Sequence, residues 1–119
     1  MKRNGYIMIV ESDDLIRDLA EGWLREAGYR VVADSRTTPA VKEEPRLVIA
    51  NVSSPRGAAA VIRVLQETYA APILVVSARF RRGLGASKEA ARRLRVRGVL
   101  PKPFTREELL AAVRESIAG

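Results

Sequence analysis

The chain contains no cysteine and no histidine. Without cysteine there is no disulfide framework and no thiolate nucleophile. Without histidine, the usual general base, the usual phosphohistidine and the commonest metal ligand are missing. No apolar stretch is long enough to span a membrane. The start, Met1-Lys2-Arg3, resembles that of a signal peptide, but the apolar run after it, Tyr6 to Val10, is too short and ends at Glu11. The expectation is a soluble, cytoplasmic chain with no membrane partner.

Apolar residues make up 47% of 119, enough for one core and a single domain over 1–119. The charge of +7 is concentrated in one segment. From Arg79 to Arg97 lie eight basic residues against Glu89 alone, and the remainder of the chain is neutral. Only Phe80 interleaves with these cations, so stacking on nucleic-acid bases has little support.

The stretch Arg46 to Pro55 organises the chain. Leu47 to Ala50 is a short, branched, all-apolar run, which reads as a strand covered on both faces, in the middle of a parallel sheet. Asn51 is the polar residue at its carboxyl end, where open α/β sheets build their sites. Tyr6 to Val10 and Pro72 to Ser77 read as further buried strands, and Tyr29 to Ala33 and Gly98 to Leu100 as shorter ones.

Between the strands, helical periodicity predicts a helix over Leu15 to Ala27, with Leu15, Ile16, Leu19, Trp23, Leu24 and Ala27 on its apolar stripe. Asp13 or Asp14 caps it and Gly28 stops it. One or two helical turns are expected within Ser35 to Glu44. A helix from about Gly57 to Tyr69 turns Val61, Ile62 and Leu65 inward. Ser87 is expected to cap a helix running to about Arg95, with Ala90, Ala91 and Leu94 inside and Lys88, Arg92 and Arg95 forming one basic stripe. Glu89 and Arg93 can pair across one turn. Pro101 to Phe104 is a stiff turn, and Thr105 to Glu108 is a capping box opening a last helix that buries Leu109, Leu110, Val113 and Ile117. Gly83 to Lys88 has the look of a phosphate loop, but its spacing does not match the nucleotide motif, and a surface loop is the expectation.

Strand and helix thus alternate five times, an α/β pattern with a parallel sheet covered on both faces. Ile9-Val10-Glu11-Ser12-Asp13, Leu47 to Pro55, Val76-Ser77-Ala78 and Pro101-Lys102-Pro103-Phe104 stand in order at four strand ends. In this the whole chain resembles the receiver domain of two-component response regulators. The resemblance implies a flavodoxin-like (βα)5 doubly wound fold with parallel strands in the order 2-1-3-4-5. It also implies a site: an aspartate on the third strand that accepts a phosphoryl group, an acidic pair after the first that holds magnesium, a Ser or Thr on the fourth and a Lys on the fifth that bind phosphoryl oxygens, and an aromatic switch on the fifth.

Carried over residue by residue, half of this set remains. Ser77 and Lys102 match. The acidic pair is Glu11 and Ser12, the acceptor is Asn51, and the switch position is Val99. An amide is neither a nucleophile nor a good magnesium ligand. The resemblance therefore points to a pseudo-receiver: no catalytic residue, no cofactor, and magnesium binding weak or absent. Lys102 could pair with Glu11, or could draw a small anion into the pocket. Ser53 or Ser54 could carry a modification instead. In the resembling family the helix after the fourth strand belongs to the output surface, and here the segment around it is longer as well as basic. Arg81, Arg82, Lys88, Arg92, Arg93 and Arg95 are accordingly the candidate interaction surface, for an acidic protein partner in a signalling pathway or, in the alternative reading, for nucleic acid. A homodimer is left open.

Overall fold

The computed structural model describes residues 5–11, 13–34, 44–52, 55–78 and 84–118. Chain order is β1 (Ile7–Val10), α1 (Asp14–Glu26), β2 (Val31–Asp34), β3 (Leu47–Asn51), α2 (Pro55–Thr68), β4 (Ile73–Ser77), α3 (Leu84–Leu94), β5 (Gly98–Pro101) and α4 (Arg106–Ala118). The five strands form one parallel sheet in the order β2-β1-β3-β4-β5. The short helix expected within Ser35 to Glu44 lies outside the described residues, except for Glu44, which is not helical.

The all-apolar strands are buried because both faces are covered. Met8, Val48, Ala50 and Val75 point into one cluster with Ile62 and Leu65 of α2, Tyr69 just after it, and Ala91 of α3. Ile7, Ile9, Leu47, Ile49 and Leu74 point into the other, with Ala20 and Leu24 of α1 and Leu109, Leu110 and Val113 of α4. Alternation along each strand thus feeds two cores, one per face, and explains why the central strands contain no polar residue before their carboxyl ends.

Helix ends follow local chemistry. Asp13 is the N-cap of α1, its side chain accepting from the Ile16 N–H at 3.0 Å. Thr105 and Glu108 form the reciprocal capping box of α4: Glu108 Oε1 accepts from the Thr105 N–H at 2.9 Å and Thr105 Oγ1 from the Glu108 N–H at 3.1 Å. After α1, Gly28 has φ +100°, the left-handed geometry that glycine adopts without strain.

Four expectations need correction. The stripe drawn on α1 is too wide: Leu15 is 69% and Leu19 43% exposed, because the inward face centres on Ala20 and Leu24, with Ile16 and Trp23 at its margin. On α2, Ile62 and Leu65 point inward with Tyr69, and Val61, one residue round the helix, is exposed. Helix α3 starts at Leu84, so Ser87 lies inside it and cannot be its cap. The same helix ends at Leu94, and Arg95 follows at φ +60°. Arg95 therefore leaves the helical stripe that Lys88 and Arg92 share.

Candidate functional site: the carboxyl ends of the strands

The sheet register assembles the pocket. Val10 pairs with Ala50, so the next residues, Glu11 and Asn51, stand side by side where β1 and β3 end. Ser77 pairs with Pro101, and the Ser77 carbonyl accepts from the Lys102 N–H at 3.0 Å, which brings Lys102 over the same end of the sheet. Four of the five residues expected in the pocket thus come together. The fifth, Ser12, lies outside the described residues.

Glu11 is 5% exposed, yet it is fully engaged. Its Oε1 lies 3.1 Å from Lys102 Nζ, and its Oε2 accepts from the Asp13 N–H at 3.0 Å. The Glu11 carbonyl accepts from Arg17 Nη1 at 3.0 Å, and Arg17 also pairs with Asp14. Of the alternatives the sequence left for Lys102, the ion pair with Glu11 is the one observed. A charge buried this deeply is tolerated because it is both paired and hydrogen-bonded. The loop between β1 and α1 is thereby fastened to β5 and to the first turn of α1.

Asn51, half-buried, ends β3, and Ser77 is fully buried at the end of β4. Val99 is buried on β5 within the core under α2 and α3. The residues present do not fit a magnesium ion. A hard divalent cation is held chiefly by charged carboxylate oxygens, but both oxygens of Glu11 already accept from protein donors and Asn51 offers only the neutral carbonyl oxygen of its amide. Among the described residues, no three acidic side chains converge.

The second candidate surface is α3 and the turn after it. Lys88, Arg92, Arg93, Arg95 and Arg97 are all exposed, and Arg93 faces Glu89 at 3.6 Å. Arg81 and Arg82 lie outside the described residues. Arg97 donates to the Ser116 carbonyl at 2.7 Å, tying β5 to the end of α4. Between α3, β5 and α4 runs a groove of about 570 Å³, with Lys88 and Arg97 among its cations and Glu108 and Glu115 among its anions. Sequence reading missed the Arg17 and Asp13 backbone contacts to Glu11. The spacing of Asp14 and Arg17 was the available signal for the first, since residues three apart meet on a helix.

No protein-family model and no curated protein matches the chain. Solved structures do. A response regulator from Thermotoga maritima superposes with a TM-score of 0.76 at 19% identity, covering 98% of this chain and all of that one. Chemotaxis protein CheY4 of Vibrio cholerae gives 0.69 at 22% identity, over 96% and 99% of the two chains. The receiver domain of an HD-domain protein from Pseudomonas fluorescens gives 0.70 at 22% identity, over 98% and 96%. A Burkholderia pseudomallei response regulator solved with a phosphorylated aspartic acid and a calcium ion gives 0.64 at 19% identity, over 92% of this chain and 66% of that one. Strand order, strand direction and these likenesses agree: the chain has the CheY-like fold of response-regulator receiver domains.

Proposed function

We propose that this chain is a pseudo-receiver, a signalling domain that works through protein–protein contacts and does not depend on aspartyl phosphorylation. The single observation that carries this reading is the closed state of Glu11. The one acidic side chain expected to hold metal spends one oxygen on the Lys102 ammonium and the other on the Asp13 N–H. In this reading the Lys102 ammonium supplies, beside Glu11, the positive charge that a divalent ion would otherwise supply. With Asn51 beside it there is no carboxylate to attack a phosphodonor. The domain is not an enzyme in this reading, needs no cofactor and works in the cytoplasm.

The working surface is then α3, where Lys88, Arg92 and Arg93 stand in solvent beside the groove against β5. Exposed like charges of this kind speed encounter and select partners of opposite sign, so the partner is an acidic protein surface. Capture from lysate of the source cell tests the reading. The variant Lys88→Ala/Arg92→Ala/Arg93→Ala is expected to lose the partner, and Lys102→Ala, provided it remains folded, to keep it. The reverse pattern would make the cleft the functional site.

A further inference from the structure

Helix α1 carries an apolar row that it does not bury. Leu15 and Leu19, one turn apart, are 69% and 43% exposed, and a Cβ on Gly22, next along the row, would meet nothing within 4 Å. The row faces away from Ala20 and Leu24, the residues that α1 does bury. Beside it runs an acidic row, Asp14 and Asp18, also one turn apart and exposed. Asp14 pairs with Arg17, and Glu21 with Arg25 at 2.6 Å, whereas Asp18 makes no ion pair among the described residues.

Helix α3 carries the counterpart. Lys88 and Arg92 are likewise one turn apart and exposed, and among the described residues neither makes an ion pair; it is Arg93 that faces Glu89. Lys88 borders the groove between α3, β5 and α4, which is lined by the apolar side chains of Ala91, Val99, Leu100, Ala111 and Ala112. Glu108, which serves the capping box, and Glu115 stand on the α4 side of that groove. The two surfaces therefore share one plan. Each has an apolar strip with a charged row beside it at one-turn spacing, and the charges are of opposite sign.

The two surfaces cannot meet within one chain. Helix α1 packs with α4 over one face of the sheet, and α3 with α2 over the other. Neither surface complements itself, since a second α1 would set Asp18 against acids and a second α3 would set Arg92 against cations. A chain of charge +7 repels its own copies at long range. Docking α1 of one copy on α3 of the next sets acids on bases and gives the exposed leucines an apolar seat.

We infer that the chain associates head to tail, with α1 of one copy seated on the α3 groove of the next. Leu15 and Leu19 lie against the apolar strip, and Asp14 and Asp18 lie along Lys88 and Arg92. A contact between two different surfaces, on opposite faces of the sheet, is not closed by two copies, so association continues into open chains or rings. This rests on the reading of α3 as the working surface and names one acidic surface for it. Ser12 and residues 35–43 and 79–83 lie outside the described residues, and every substitution below falls on a described one.

Sedimentation velocity at rising concentration in physiological salt tests it. The wild-type mass rises past that of a dimer. Leu15→Gln/Leu19→Gln, blocked on α1, and Lys88→Glu/Arg92→Glu, blocked on α3, each associate about tenfold or more weakly. Melting curves establish that both are folded. Mixed in equal amounts, the two variants form a heterodimer and nothing larger, because each keeps the surface that the other lacks. A wild type that stays monomeric at its highest soluble concentration overturns the inference, as does one that stops at a dimer, or a pair of variants that does not combine. If the wild type is monomeric while its α3 face still captures an acidic protein from lysate, this inference falls and the proposed function stands.

Discussion

At the carboxyl end of the sheet, Lys102 lies 3.1 Å from Glu11 with only 17% of its side chain in water. On α3 and in the turn after it, Arg92 and Arg95 stand in solvent. Both regions hold cations, yet only one presents them to solvent. A cation buried against its own carboxylate is spent on holding the fold, because separating the two leaves a charge unsolvated. An exposed arginine contributes little to stability and stays within reach of a partner. On the reading proposed above, this contrast makes the carboxyl end of the sheet a structural brace and leaves recognition to the exposed cations of α3.

The largest expected effect is on the brace. Lys102→Met removes the partner of a nearly inaccessible carboxylate and should cost about 3–5 kcal/mol of unfolding free energy in urea or thermal denaturation. Adding Glu11→Gln should recover much of that loss, since the charge left unpaired is then gone. If Lys102→Met instead melts like the wild type, the pair is not a brace and the contrast between the two regions collapses.

Next in size is the effect on α3. Lys88→Ala/Arg92→Ala/Arg93→Ala should weaken the protein partner by about 1–3 kcal/mol if these residues sit centrally in the interface. Stability should change by no more than about 0.5 kcal/mol per site. The binding loss should shrink with added salt, because exposed charges are screened over about 8 Å at physiological ionic strength. Isothermal titration at two ionic strengths reads the affinity loss and its salt dependence, and thermal melts read the stability.

A smaller effect, of opposite sign, is expected at the end of α3. Arg95→Gly alone relieves a left-handed side-chain conformation and should raise stability by about 1 kcal/mol. A fall in melting temperature would mean that packing holds the arginine there and outweighs the strain. The smallest expected gain is chemical: Asn51→Asp alone should accept phosphate poorly from a small phosphodonor, because Glu11 stays bound to Lys102 and Ser12 supplies no carboxylate. Adding Ser12→Asp should improve magnesium affinity more than either change alone, as both side chains would serve one ion. Full labelling by the single substitution would contradict the role given to Ser12.

The sequence made the strands legible where they are buried on both faces, as at Leu47 to Ala50 and Ile73 to Val76, because an unbroken apolar run has few other uses in a chain of this polarity. It also made the caps legible, since Asp13, Thr105 and Glu108 act on neighbours within a turn. It failed where the outcome depends on how far round a helix the core reaches, as at Leu15, Leu19 and Val61. The start of α3 at Leu84 gave no local signal comparable to the capping box of α4. The pocket residues could be named from four strand ends, but the partner of Lys102 could not be chosen.

The central claim, that this receiver-like domain works without aspartyl phosphorylation, is tested most directly by intact-mass spectrometry after incubation of the wild-type chain with acetyl phosphate and magnesium. The account predicts an unchanged mass, since Asn51 offers no carboxylate nucleophile and Glu11 is held by Lys102. A mass gain of one phosphoryl group, mapped to the pocket of Glu11, Asn51 and Lys102, would contradict it.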